Sequence, residues 1–238
     1  MTREIKAILF DLDETLTDAQ AGLGAAHDFL ASELCKYIKS RGAEIGENKI
    51  RATLEKLDNQ MNRKRKYDRD EWWPELFRRL HVQVKLPSSR KKKLTKIYWG
   101  VHAKGSPPYP EAREVLSELK KRGYKLGLVT DTDGKKGLKR RRLRRMELLE
   151  FFGAVVIGGD DTPRPKPSPE PFLLAARKLR ARPSECLMVG DKPFTDIRGA
   201  KAAGMKTVLL KKREWDAKDR PDFTVGALSE ILHVVENL

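Results

Sequence analysis

The stretch Lys6-Ala7-Ile8-Leu9-Phe10-Asp11-Leu12-Asp13-Glu14-Thr15 decides how the rest of the chain is read. Its first half is a short apolar run, the pattern of a strand covered on both faces of a parallel sheet. Its second half sets two carboxylates, Asp11 and Asp13, two residues apart directly after that strand. Like charges so close disfavour each other's ionised form, an objection that a divalent cation removes. In an open parallel sheet, ligands bind beyond the carboxyl ends of the strands, where the strand order reverses. Asp11 and Asp13 therefore fall where such a fold would carry a site.

Working outward, similar short apolar runs cover residues 125–130, 154–158, 186–189, 207–210 and 223–225. Amphipathic segments lie between them. In residues 111–122, Val115, Leu116 and Leu119 share one face and Gly123 supplies a stop; Gly204 ends the segment 196–203 in the same manner. The alternation predicts a doubly wound α/β domain with a parallel sheet. Residues 19–103 break the pattern, with helical stretches at 25–40, 49–61, 70–81 and 88–99 and no clear strand between them. The predicted organisation is an α/β core of residues 1–18 and 104–238 with a helical insertion of residues 19–103. The segment from Gly105 to Pro110 is read as the linker back into the core.

Three further signals share the position of the aspartate pair. Gly190-Asp191, with Asp196 five residues beyond, follows the apolar run 186–189. Thr130 puts a hydroxyl at the end of the run 125–130. Lys166 stands between Pro165 and Pro167, whose rings restrict the backbone on both sides. One sheet geometry brings Asp11, Thr130 and Asp191 to the same edge. An acid cluster with a hydroxyl and a lysine suits an oxyanion bridged to a hard cation, and Mg²⁺ takes one or two carboxylates plus substrate phosphate.

In this order and spacing, Asp11-Leu12-Asp13-Glu14-Thr15, Thr130, Lys166 and Gly190-Asp191 with Asp196 resemble the four motifs of the haloacid dehalogenase-like superfamily. Single motifs of this kind arise by chance; the ordered set, spanning nearly the whole chain, is specific. The resemblance implies a Mg²⁺-dependent phosphohydrolase in which Asp11 is the nucleophile and carries an aspartyl-phosphate. Asp13 would protonate the leaving oxygen, activate the hydrolytic water and lend its backbone carbonyl to the metal. Asp191 would be the second carboxylate ligand, Asp196 a supporting ligand or an anchor behind it, and Thr130 and Lys166 would bind phosphoryl oxygens. The dehalogenases of this superfamily lack an aspartate at the second position and the P-type pumps carry threonine there, so Asp13 favours phosphate esters. The insertion 19–103 resembles the superfamily's helical C1 cap. The some 35 residues between Thr130 and Lys166 are too few for the alternative α/β cap.

The implied substrate is a small phosphorylated metabolite, as for the phosphoglycolate and glyceraldehyde-3-phosphate phosphatases. A phosphomutase of the same fold, and a nucleic-acid-end phosphatase or binding protein, remain as alternatives. Net charge is +16 and 35% of residues are charged, above the usual quarter. With only three Gln and four Asn, this composition is read first as that of a protein from a hot environment, and only then as a nucleic-acid signal. The basic runs 63–66, 90–93, 139–142 and 211–213 are dispersed and read as solvated helix faces. An electrostatic funnel for anions comes second and nucleic acid third.

Residues 1–6 run into a strand without a signal-peptide apolar region, and no run reaches the roughly 20 apolar residues of a membrane span. A cytoplasmic monomer or homodimer is expected, with no membrane partner. Cys186 reads as an inert buried thiol, and Cys35 and Cys186 have no metal-type spacing. No histidine is assigned a role. Glu14 and Asp18 read as solvated, and Asp160 and Asp161 as turn residues. Asp196 is open between a helix N-cap and a metal-site residue. Trp72 and Trp73, adjacent on a helix, are expected to leave one ring exposed or at an interface. No P-loop, dinucleotide-binding, G-x-S-x-G or H-E-x-x-H signature is present.

Overall fold

Apolar side chains that alternate between two faces build a parallel sheet in this protein, described by a computed structural model over residues 4–214 and 218–238. Residues 1–3 of the N-terminal reading lie outside that range. The strands are β1 (Ala7–Phe10), β2 (Lys125–Asp131), β3 (Ala154–Gly158), β4 (Cys186–Gly190), β5 (Lys206–Leu210) and β6 (Phe223–Val225). All five pairings are parallel, in the order β3-β2-β1-β4-β5-β6. The chain lays β2 and β3 on one side of β1, then returns to place β4 on the other. The order thus reverses at β1 and β4, the crevice where doubly wound sheets bind ligands. The six apolar runs of the sequence are these six strands, shifted at their ends by a residue at most.

Nine helices occupy the described residues: α1 (Ala19–Lys39), α2 (Glu47–Arg63), α3 (Trp72–Arg79), α4 (Ser88–Gly105), α5 (Ala112–Lys121), α6 (Leu138–Leu143), α7 (Glu170–Lys178), α8 (Arg198–Ala202) and α9 (Ile231–Glu236). Two compact units result. One holds the chain up to Asp18, Pro108–Thr132 and Lys136–Leu238; the other holds Ala19–Pro107 and Asp133–Lys135.

In the sheet unit, Ile8, Phe10, Leu187 and Val189 join Leu116 and Leu119 of α5 and Ile231 and Val235 of α9 in one apolar cluster. Ala7, Leu9, Cys186 and Met188 join Phe172 and Ala175 of α7 and Ala200 of α8 in another. Period-two alternation along β1 and β4 thus feeds both faces of the sheet. Each large side chain so buried contributes about 1.5–3 kcal/mol. Burial raises the Cys186 thiol to about 12, in keeping with an inert side chain.

The helical unit is organised by α1, which packs along α4 and α2. Its centre is polar as well as apolar. His27 Nε2 meets Asp58 Oδ2 at 2.9 Å, Tyr98 donates its hydroxyl to the same oxygen at 2.6 Å, and Arg69 lies 3.6 Å from Asp58 Oδ1. Burial would raise the Asp58 carboxyl, but Arg69, His27 and Tyr98 together hold it below its ordinary value. The Arg69 guanidinium lies over the rings of Trp72, Trp99 and Tyr98 at 4.0, 4.3 and 4.7 Å.

Trp72 and Trp73 are both fully buried, so of the expectation that one ring would be exposed or at an interface, exposure is excluded. Helix α3 has only eight residues and is enclosed on two sides. Trp72 donates its indole N–H to Lys66 O at 2.9 Å, and Trp73 donates to Thr95 Oγ1 at 2.9 Å. The short segment Asp133–Lys135 belongs to this unit through ion pairs of Lys135 with Asp70 and Asp68. Gly134 has φ +93° and lies against the backbone of Tyr67 and Asp68, with no room for a Cβ. Helix α4 runs through to Gly105, so the linker back to the sheet begins one residue later than its sequence signal. No described helix is long and apolar enough to cross a membrane.

Candidate active site

Asp11 continues β1 by one hydrogen bond, its N–H donating to Val189 O of β4 at 2.9 Å. The chain then turns tightly. Leu16 and Thr17 donate their N–H groups to Leu12 O at 2.8 and 3.1 Å, and Glu14 N–H donates to Thr17 O at 2.9 Å. Glu14 adopts φ 70°, an uncommon left-handed conformation for a residue with a side chain. Backbone held in such regions costs on the order of 1–3 kcal/mol and gathers at functional sites. Glu14 is also buried, not solvated as its sequence position suggests.

The second loop starts where β4 ends, at Gly190-Asp191. A π-turn over Pro193–Ile197 then carries Asp196 back above Gly190. A Cβ on Gly190 would lie 2.5 Å from that of Asp196, so only glycine permits the approach. Asp196 Oδ2 accepts the N–H of Lys192 at 3.0 Å, and Oδ1 accepts from Lys166 Nζ at 2.7 Å. Asp196 is therefore not an N-cap. The residue before α8 is Ile197, and the wide turn points the Asp196 carboxylate into the loop instead.

Lys166 enters from the segment after β3, with a cis bond to Pro167. Its backbone N–H donates to Asp131 Oδ1 at 3.0 Å. Its buried ammonium donates to Asp11 Oδ1 at 2.6 Å, Asp196 Oδ1 at 2.7 Å and Val129 O at 3.3 Å. Asp11, Asp191 and Asp196 each offer a carboxylate oxygen, all within 4.8 Å of one another, and all three residues are buried. Lys192 Nζ and Arg213 Nη2 approach Asp191 at 3.5 and 3.8 Å. Thr130 is buried at the carboxyl end of β2, beside β1 in the sheet.

The electrostatics follow from this crowding. Burial raises the Asp11 carboxyl, against the opposing pull of Lys166. Burial also carries Asp191 up to about 7 and Asp131 up to about 6. Burial lowers Lys166, but Asp11 and Asp196 more than reverse it, leaving the lysine well above its usual value and charged. The three buried carboxylates crowd around Lys166, while Lys192 and Arg213 approach Asp191 only at 3.5 and 3.8 Å. An all-carboxylate donor set suits a hard divalent cation such as Mg²⁺.

Asp13 lies outside that carboxylate group. Its Oδ2 accepts from Lys139 Nζ at 2.7 Å, with Arg142 Nη2 3.6 Å away. This overturns the reading of the run 139–142 as a solvated face, since Lys139 is buried and Arg142 nearly so. The two residues lie three apart on α6 and so share a face. Arg141 and Arg144 of the same stretch are exposed. Lys139, Arg142, Asp131, Lys192 and Arg213 are the site's neighbours that the sequence did not single out. Helical spacing could have paired Lys139 with Arg142, but nothing in the run says which face turns inward.

The haloacid dehalogenase-like hydrolase family matches residues 5–204, and the chain belongs to that family. It is 29% identical to the glyceraldehyde 3-phosphate phosphatase of Pyrococcus furiosus, over 98% of this chain and 94% of that protein. It is 31% identical to the phosphoglycolate phosphatase of Salmonella typhimurium, over 97% and 92% respectively. The crystal structure of a phosphatase of the same superfamily from Thermococcus onnurineus superposes with a TM-score of 0.68. That protein is 26% identical, over 97% of this chain and 98% of its own.

Proposed function

We propose that this protein hydrolyses a small phosphorylated metabolite, of the phosphoglycolate or triose and sugar phosphate type, through an aspartyl-phosphate on Asp11. That it is a phosphoric monoester hydrolase rests on its family and its phosphatase relatives. The observation that carries the mechanism is the convergence of buried Asp11, Asp191 and Asp196 around Lys166, at the point where the strand order reverses.

An Asp11 oxygen attacks phosphorus and the bond from phosphorus to the ester oxygen breaks. The departing oxygen takes a proton from Asp13. Water then gives a proton to Asp13, attacks the acyl phosphate and releases inorganic phosphate, restoring the Asp11 carboxylate and the protonated Asp13. Lys166 holds Asp11 by the 2.6 Å contact and offsets the charge that gathers there. The Thr130 hydroxyl is assigned to a phosphoryl oxygen.

Asp11 and Asp191 would hold Mg²⁺, with the Asp13 carbonyl, while Asp196 supports the site through Lys166 and Lys192. Bound there, the cation would neutralise charge on the carboxylates and the phosphoryl oxygens. The helical unit is assigned the role of a C1-type cap that reads the leaving group.

Hydrolysis of p-nitrophenyl phosphate and of a panel of phosphorylated metabolites, with Mg²⁺ or EDTA, tests this reading. Turnover should need metal and fall at least about 10³-fold in Asp11→Asn, since covalent catalysis has no substitute there. Turnover that survives the substitution would assign the nucleophile elsewhere. An isomerised phosphate ester in place of inorganic phosphate would mark a mutase.

A further inference from the structure

We propose that Lys139 is a positioning residue for Asp13, with Arg142 beside it, and that this contact sets how well the enzyme expels poor leaving groups; the inference rests on the proton-transfer role assigned to Asp13. The geometry is built from α6 upward. Gly137, just before the helix, donates its N–H to Asp160 Oδ2 at 2.7 Å. Thr132, just after β2, donates its hydroxyl to Asp160 Oδ1 at 2.7 Å. Arg140 grips both oxygens of Asp161 at 2.6 Å, and Asp161 Oδ2 also accepts the N–H of Ile157 in β3 at 2.9 Å. Leu143 seals the inner side of α6 in the apolar core.

Asp160 and Asp161 thus do more than make a turn: they pin a six-residue helix, too short to hold its own place, to the ends of β2 and β3. With α6 so fixed, its inward face delivers Lys139 to Asp13 at 2.7 Å and Arg142 at 3.6 Å. Burying the lysine stem costs side-chain entropy and desolvates its ammonium. A solvated basic helix gains nothing from that cost.

Asp13 needs such a partner because its loop is short and its carboxylate must serve two steps from one place. A charge-assisted hydrogen bond limits its rotamers and is stronger than a neutral one. A proton donor displaced by an ångström loses much of its advantage. The need is greatest when the departing group is a basic alkoxide and least when it is a weakly basic phenolate. The contact should therefore matter for alkyl phosphates and little for p-nitrophenyl phosphate.

The experiment compares Lys139→Met, Lys139→Gln and Lys139→Arg with native enzyme and Asp13→Asn. All are assayed with Mg²⁺ on p-nitrophenyl phosphate and on glycerol 3-phosphate, after thermal melts to select folded variants. Expected is a loss in kcat/KM of about 30-fold or more for the alkyl ester in the Met or Gln variant, against about threefold for the aryl ester. Lys139→Arg should recover most of the loss, and Asp13→Asn should show the same leaving-group split in larger degree. Equal losses on the two esters, no loss on either, or failure of arginine to rescue would overturn the role of Lys139. A split in Asp13→Asn without one in the Lys139 variants would overturn this inference and leave the proposed function standing. No split in Asp13→Asn would refute the assignment of Asp13 itself.

Discussion

Asp131 closes β2, and its Oδ1 holds the backbone of Lys166 at 3.0 Å. Burial carries its carboxyl to about 6, above the ordinary 3.8. A raised carboxyl favours the protonated folded state, so its contribution to stability is greatest below pH 4. That contribution is lost as pH rises to about 6 and is constant beyond. Asp131→Asn keeps an acceptor for Lys166 and removes the charge. Melts in EDTA should show the variant matching the native protein near pH 4 and exceeding it by about 2 kcal/mol above pH 6. Each pKa unit is worth about 1.4 kcal/mol, and partial exposure of the side chain trims the full difference. An advantage that shrinks with rising pH would show that the charge is compensated. The residues of this site were unequally legible. Asp11, Asp191 and Lys166 stand at strand ends or between prolines, where local sequence marks a fixed backbone. Asp131, Lys139 and Arg142 carry no such mark. Their placement depends on which face of an element turns inward, a property of packing.

At the level of elements, the loop after β4 depends on one missing side chain. Gly190 lets Asp196 lie directly above the backbone, and Asp196 in turn holds Lys166 and the amide of Lys192. Gly190→Ala should push Asp196 aside, lowering stability by about 1–3 kcal/mol as overpacked sites do. Turnover of p-nitrophenyl phosphate should fall about tenfold or more, since the lysine loses its second anchor. An alanine variant with native melting and turnover would mean that the loop relaxes freely. Helix α3 buries both members of its tryptophan pair. Adjacent residues on a helix point about 100° apart, which puts only one on a single buried face. A short helix enclosed on two sides buries both, and each indole N–H finds an acceptor. The strands were legible for the opposite reason. Runs covered on both faces are continuously apolar, and flanking turns delimit them.

Across the whole molecule, many residues of the basic runs are paired locally with acids, while the net charge of +16 remains. Lys139 and Arg142 face Asp13, Arg140 grips Asp161, Arg78 and Arg79 pair with Glu75, and Arg198 pairs with Asp219. Charge so dispersed and paired should give only non-specific, salt-labile attraction to nucleic acid. Fluorescence anisotropy should show no measurable affinity for duplex or single strands at about 150 mM salt, where the Debye length is about 8 Å. Micromolar binding that persists at that salt would reopen the nucleic-acid reading.

The sequence by itself determined the six strands, the doubly wound class, the membership of Asp11, Lys166, Asp191 and Asp196 in one neighbourhood, and the family. Each follows from patterns a few residues long: apolar runs, turn residues and motifs placed at strand ends. Only the tertiary structure decided which basic residues pair with Asp13, that Asp196 reaches Lys166 rather than capping a helix, and that Arg69 and Asp58 form the polar centre of the helical unit. Those contacts join residues far apart in the chain. The energy that selects them is desolvation balanced against pairing, and it exists only once the elements have packed.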